Sequence, residues 1–241
     1  MRSFEGEHAD TPGRKYAYDF DYRMHAYMLR AFEPLPAGSA LELGCHHGEF
    51  TKRLLDRFDS VTVVEGASDS IQIARDATQD RARFVHAAFE DFRPETRYDA
   101  IFLIHTLEHL DDPQQILGAV SSWLSDEGKL YVAVPNVGAA SRRIAVAMGL
   151  IESPTAVTPE EYAHGHRRTY DLTALQAEVQ RANLSLVGSG GILFKPFANF
   201  QWDALISSGM ISEEYLEGCY RLGLSYPELC ASVYAICART R

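Results

Sequence analysis

The chain of 241 residues lacks several things that would settle its class at once. Its four cysteines, Cys45, Cys219, Cys230 and Cys237, form no C-x-x-C pair and no zinc spacing, so neither a disulfide framework nor a structural zinc site is written in them. No basic stretch followed by an apolar one opens the sequence, and with those cysteines this leads us to expect a reducing cytoplasm. The longest uncharged apolar run, residues 144–151, falls far short of the roughly 20 residues that cross a bilayer, so no membrane span is expected. A basic excess is also missing. The formal net charge is −10, which argues against duplex nucleic acid or an anionic membrane as partner.

With 46% apolar and 23% charged residues, the composition is that of an ordinary globule. Its length suits one domain with a core that needs no cross-links. Residues 1–15 are polar and aperiodic and read as a loose arm. An aromatic helix follows, with Tyr18, Tyr22, His25, Met28, Leu29 and Phe32 at three- and four-residue steps. From residue 39, short β-branched runs at 40–43, 61–65, 83–86, 100–104 and 129–134 alternate with helical patterns, the signature of parallel β-α-β units. Among the helices, residues 49–58 form one stripe, and Asp112-Pro113 supplies a cap and first-turn proline for another. After residue 136 come an apolar helix near 142–150, a His-rich stretch EYAHGHRRTY, a helix capped by Asp171, and two last strands at 185–188 and 232–237 that bracket an aromatic segment. The expected fold is therefore α/β: a Rossmann-like, doubly wound, mostly parallel seven-stranded sheet with a lid inserted after strand 5. Within a single domain 1–241 we delimit an arm and helix (1–38), a cofactor-binding core (39–136), a lid (137–170) and a C-terminal part (171–241).

The sharpest local signal is Ala40-Leu-Glu-Leu-Gly44-Cys-His-His-Gly48-Glu-Phe50, a strand that enters a glycine turn and then a helix. In a doubly wound sheet such a turn lets backbone approach a nucleotide-like ligand. A dinucleotide fingerprint would need glycines at 46 and 49, where His46 and Glu49 stand, and no Gly-Lys-Ser/Thr follows for a P-loop.

ELGCHHG, the acidic strand end in VTVVEGAS, HAAFEDF, and IHTLEHLDDP before a strand that ends KLYVAVPN together resemble the class I S-adenosylmethionine-dependent methyltransferases, strongly over residues 16–136. The nearest branches in appearance are ubiquinone-type O-methyltransferases and deoxysugar N-methyltransferases. The resemblance implies S-adenosylmethionine as cofactor and S-adenosylhomocysteine as product. It places Gly44 and Gly48 along the methionine part, Glu65 on both ribose hydroxyls, Phe89 and Glu90 at the adenine, and Glu42 behind the turn; Cys45, His46, Gly66, Ala67 and His105 complete the cofactor set, with Tyr16 and Tyr18 as caps. His46 departs from the family, which usually has glycine there. Either the turn tolerates a side chain that points outward, or cofactor affinity is altered.

His105-Thr-Leu-Glu108-His109 also spells the inverted zinc-protease motif, but it follows a buried run and stops at Asp111-Asp112-Pro113, so we read it as the loop after the fourth strand. One helical turn would put His105, Glu108 and His109 on one side, where some ubiquinone-type relatives carry a divalent metal; the competing reading is a structural Glu108–His109 pair, and no metal is assigned. Methyl transfer needs a base only if the acceptor loses a proton, and histidine suits that task. His105 and His166 are the catalytic candidates. His109, His164, Arg168, Tyr170, Phe197 and Trp202 are the acceptor-side candidates, with core packing as the alternative for the aromatics. The expected activity is methyl transfer to an oxygen or nitrogen of a sugar, phenol or natural-product intermediate by a monomer or homodimer. The rivals are a nicotinamide-dependent oxidoreductase and a non-catalytic S-adenosylmethionine-binding module.

Overall fold

A computed structural model describes residue 10 and residues 15–240. The arm expected over residues 1–15 therefore lies, Asp10 and Lys15 apart, outside the described residues. The elements follow in the order α1 (Asp19–Phe32), β1 (Ser39–Leu43), α2 (Glu49–Leu55), β2 (Ser60–Glu65), α3 (Ser68–Thr78), β3 (Arg83–His86), β4 (Tyr98–Ile104), α4 (Pro113–Trp123) and β5 (Leu124–Pro135). Then come α5 (Ala140–Ala147), α6 (Pro159–Ala163), α7 (Leu172–Arg181), β6 (Leu184–Phe194), α8 (Asn199–Ser207), α9 (Glu213–Ser225) and β7 (Cys230–Arg239).

The seven strands form one sheet in the order β3-β2-β1-β4-β5-β7-β6. The first five are parallel, and β7 runs antiparallel between β5 and β6. This is the expected fold class. The strand order reverses between β1 and β4, and a crevice at the carboxyl ends of the strands opens at such a switch point. Strands covered on both faces should be largely apolar, and apart from Glu42, Thr62 and Glu65 the central ones are: Ala40, Val61, Val63, Ala100 and Phe102 face one core, while Leu41, Leu43, Val64, Ile101 and Leu103 face the other. On the first face pack Phe20, Met24, Met28 and Phe32 of α1, Phe50 and Leu54 of α2, and Trp202 and Leu216 of α8 and α9. The second face takes Ile116, Leu117, Val120 and Trp123 of α4 and Leu175 and Val179 of α7.

The helix signals act as read. The Asp112 side chain accepts from the backbone of Gln114 and Gln115, and Asp171 accepts from Ala174. Helix α2 stops at Leu55, short of 58, and α5 starts two residues before the expected 142. The larger departures are in the last quarter, where β6 runs eleven residues instead of four and two unforeseen helices, α8 and α9, fill the aromatic segment.

Helix α1 has no side-chain cap of its own at Tyr18. Its first N–H groups are taken from far away: Asp203 of α8 accepts from Phe20 at 2.9 Å and from Asp19 at 3.1 Å. Asn199 donates to Asp21, and Arg23 and Arg30 pair with Glu213 and Glu217 of α9.

Candidate active site at the β1–β4 switch point

The glycine turn follows β1. The Gly44 N–H donates to the Val64 carbonyl at 2.9 Å, which continues the β1–β2 ladder by one residue, and its φ of 80° suits glycine. A Cβ at Gly44 would lie 2.9 Å from the Thr106 hydroxyl, which is itself pinned by hydrogen bonds to the Leu43 and Ile104 carbonyls. Backbone alone can floor the crevice there. Glu65 ends β2 with its carboxylate buried at 5% exposure, where Oε2 accepts from the Cys45 N–H and Oε1 from the Ala67 N–H, both at 3.0 Å. Each oxygen keeps a second lone pair.

These groups line a narrow cleft of about 110 Å³ together with Gly66 beside Glu65, Phe89 and Glu90 from a 3-10 turn, and Tyr16, His46 and His105. A second cavity of about 730 Å³ adjoins it, bounded by α1, α6, the segment after α5 and the start of β7. Tyr16, Gly44, His46, Ile104, His105 and His109 line both.

The placement corrects several expectations. Gly48 borders neither cavity; it caps α2 in the left-handed region, and a Cβ there would stand 3.0 Å from Ala74, so it serves the contact of α2 with α3. Ala67 is fully buried at the start of α3. Tyr18, Glu42 and Cys45 border only the larger cavity. The Glu42 carboxyl accepts from the Thr51 hydroxyl at 2.6 Å, and burial pushes it up to about 8. On the acceptor side, Trp202 is core: it has no exposure, stacks on Phe20 at 5.1 Å and meets the edge of Phe197 at 5.5 Å. Tyr170 is buried in an extended stretch bridged to Asn136, and Arg168 turns to the Asp111 carbonyl; neither lines either of these two cavities. His164 and His166 do.

His105 has a φ of 50° and donates its N–H to Ala133, so the chain leaves β4 abruptly. Its Nε2 lies 2.9 Å from the Ser232 hydroxyl of β7. Burial, reinforced by His25, His166 and Lys195, lowers its imidazole to about 3, so it is neutral at working pH. The turn then tightens into a 3-10 helix over Leu107–His109, and His105 does not share a face with Glu108 and His109. His166 takes its place: ligand atoms of Glu108, His109 and His166 lie within 4.8 Å of one another. Glu108 is 2% exposed, its two oxygens have no hydrogen-bond partner, and burial pushes it up to about 8. His109 is too far, at 3.9 Å, to satisfy it.

Residues the sequence reading passed over include Thr106, Ser232, Arg142 and His25. Burial lowers His25 to about 3, and its ring is held against Phe50 at 5.3 Å. The one available signal was a histidine within the apolar stripe of α1.

A buried carboxylate at the end of β2 beside a glycine turn at the switch point of such a sheet, without the glycines of a pyrophosphate loop, is the arrangement that the class I S-adenosylmethionine-dependent methyltransferases share. A family model described as a methyltransferase domain matches residues 16–189. The chain belongs to this methyltransferase family. It is similar to the ubiquinone biosynthesis O-methyltransferase of Idiomarina loihiensis, with 24% identity over 194 residues that cover 78% of this chain and 74% of that protein. In fold it is similar to an S-adenosylmethionine-dependent methyltransferase of Thermotoga maritima, at a TM-score of 0.64 and 17% identity over 92% of each chain. The N-methyltransferase NodS of Bradyrhizobium japonicum WM9, solved with S-adenosylhomocysteine, matches at a TM-score of 0.58 and 14% identity over 93% of this chain and 89% of its own. The protein is thus an S-adenosylmethionine-dependent methyltransferase, which displaces the nicotinamide and non-catalytic readings. Among the described residues no helix is long and apolar enough to cross a membrane.

Proposed function

We propose that S-adenosylmethionine occupies the narrow cleft, with its adenine by Phe89 and Glu90, its ribose on Glu65 and its methionine end by Gly44 and His46, and that the acceptor enters through the larger cavity. The residues fit this ligand because the cleft has a floor a Cβ would fill and a carboxylate with free lone pairs. The observation that carries the reading is the wall shared by the two cavities, which puts His105 at their junction. Bound there, the cofactor supplies an electrophilic methyl on a sulfonium. The chain holds the acceptor in line with it and excludes water; such positioning accounts for most of the barrier lowering in a displacement of this kind. His105 stands at the junction as the proton acceptor; because burial disfavours its imidazolium, it can take the acceptor's proton only as the forming bond makes that proton strongly acidic. Residues 137–170 act as the lid over the acceptor side, organised by the Arg142–Glu161 ion pair at 2.6 Å. The acceptor is a sugar, phenol or natural-product intermediate, in line with the biosynthetic O-methyltransferase relative. Four buried thiols suit a reducing cytoplasm, and a net charge of −10 argues against nucleic acid as partner. We assign a monomer or homodimer.

Titration calorimetry with S-adenosylhomocysteine tests the cofactor site: Gly44→Ala should abolish binding while the fold persists, and unchanged affinity would overturn the assignment.

The orphaned carboxylate of Glu108 favours a second reading of His166. Glu108, His109 and His166 offer a hard oxygen and two imidazole nitrogens on the acceptor cavity, a donor set that a divalent ion would accept. The ion would lower the pKa of an acceptor hydroxyl. Manganese titration followed by electron paramagnetic resonance should show one bound ion in the wild type and none in Glu108→Gln; free ion only in both would dismiss the metal and leave Glu108 a buried acid.

A further inference from the structure

We infer that Ser232 is a positioning residue for the methyl transfer: its oxygen accepts the Nε2–H of His105, so that the ring keeps its proton on Nε2 and turns a bare Nδ1 to the junction of the two cavities. This deepens the proposal that His105 takes the acceptor's proton and rests on it.

Backbone and ring of His105 are fixed by two different strands. Its N–H donates to the Ala133 carbonyl of β5 at 2.8 Å, with φ at 50°, where a Cβ is strained. From there the side chain reaches β7, and Nε2 meets the Ser232 hydroxyl at 2.9 Å. Ser232 has little freedom of its own. It is 2% exposed and sits in ladders on both sides, opposite Pro135 of β5 and Ile192 of β6.

The direction of the bond follows from its surroundings. A histidine works through the nitrogen that its other hydrogen bond leaves bare. Among the described residues Ser232 alone makes a hydrogen bond with this ring. Buried ring nitrogens without a partner occur in His25, His46 and His164 but not in His105, whose Nδ1 therefore opens on the cavities that the residue lines. A base must present its lone pair there, which leaves the hydrogen to Nε2 and makes Ser232 the acceptor. The serine's own O–H can turn into the larger cavity, which Ser232 also borders.

The same contact steadies the ring once it is charged. The acceptor's O–H or N–H bond breaks toward Nδ1 as its oxygen or nitrogen takes the methyl and the old carbon–sulfur bond leaves its electrons on sulfur; the proton then leaves Nδ1 for water. The electrostatic neighbours of the ring are His25, His166 and Lys195, none of them an acid. The Ser232 oxygen is thus the group that receives the charged Nε2–H, in a bond stronger than the neutral one.

Nitrogen NMR of protein labelled in its histidine rings reads the arrangement directly, because a protonated and a bare ring nitrogen resonate far apart, and His105→Gln identifies the two signals by their loss. Wild type should show Nε2 protonated and Nδ1 bare. Ser232→Ala should lower the ratio of this tautomer to the other about three- to tenfold, the scale of one net hydrogen bond. Ser232→Thr, which keeps the hydroxyl, should restore it. A serine that merely packed the strand would change the melting temperature and leave the ratio alone. A proton on Nδ1 in wild type overturns the proposal even where the variants fail to fold, and so does an unchanged ratio in Ser232→Ala. S-adenosylhomocysteine separates this from the site assignment: added in excess it should move the wild-type Nδ1 signal, and a signal that stays in place removes the junction, and the role of Ser232 with it, whatever the tautomer.

Discussion

Glu65→Gln probes the joint on which the turn depends and to which the proposed site assigns the ribose. In the wild type each carboxylate oxygen takes one backbone N–H, from Cys45 and from Ala67, both at 3.0 Å and away from water. Glutamine offers one oxygen and one NH₂, so whichever way the amide sits, one of the two N–H groups faces a donor. An orphaned buried donor costs about 1–3 kcal/mol, and the surviving bond loses its charge-assisted strength, for a total of about 2–4 kcal/mol. In a domain of this size that lowers the melting midpoint by roughly 5–15 °C. The ribose would lose the same charged acceptor, worth a further factor of roughly 10–100 in affinity. Calorimetric melts with and without S-adenosylhomocysteine read both effects, because a ligand at about 100 times its dissociation constant adds about 2.7 kcal/mol and a 30-fold weaker one little more than 0.8. A variant that melts as wild type refutes the structural role. One that melts early yet keeps the full ligand shift refutes the ribose role and leaves the turn.

Three other perturbations have defined outcomes. Asp203→Ala removes the acceptor for two N–H groups at the start of α1, which should cost about 1–2 kcal/mol in urea unfolding; no change would mean water replaces it without loss. Burial lowers His25 to about 3 in the folded protein, against about 6.5 when unfolded, so its contribution is complete above pH 6.5 and is lost as the pH falls toward 3; in urea unfolding at pH 5 and 7, His25→Gln should gain up to about 2 kcal/mol on wild type at the lower pH, and parallel profiles would refute a buried neutral ring. Glu42 runs the other way: raised to about 8 by burial, its carboxyl favours folding below pH 4.5 and loses that contribution as the pH rises to 8, so Glu42→Gln should gain about 1–3 kcal/mol at pH 8 over pH 5 by the same measurement, and an equal difference at both would show that the carboxyl is ionised when folded.

What the sequence made legible was local. The parallel strands are short apolar runs, and each of the caps at Asp112 and Asp171 stands where periodicity begins, so the alternation of strands and helices and the doubly wound class were open to reading. The glycine turn is legible from the strand-glycine-helix pattern and Glu65 from the family resemblance, whereas Gly48, which the same resemblance places on the methionine part, turns its hydrogen to Ala74. Strand β6 runs past the expected end at 188 through Gly191, where a Cβ would stand 2.5 Å from Pro227, so glycine there serves a close approach. Tertiary facts had no local trace: that His166 and not His105 joins Glu108 and His109, that Ser232 holds His105, and that Trp202 packs beneath Phe20. Each depends on segments brought together by the fold.

The hold of α8 and α9 on α1 also bears on how the molecule is made. Phe20 waits for Asp203 across 183 residues of chain, which at about 5–20 residues per second is about 10–35 seconds of synthesis. Over that interval the parallel strands can already pair with one another, while the first helix has no partner for its opening turn. A nascent chain would thus possess the nucleotide half of the enzyme well before the wall that receives the methyl acceptor.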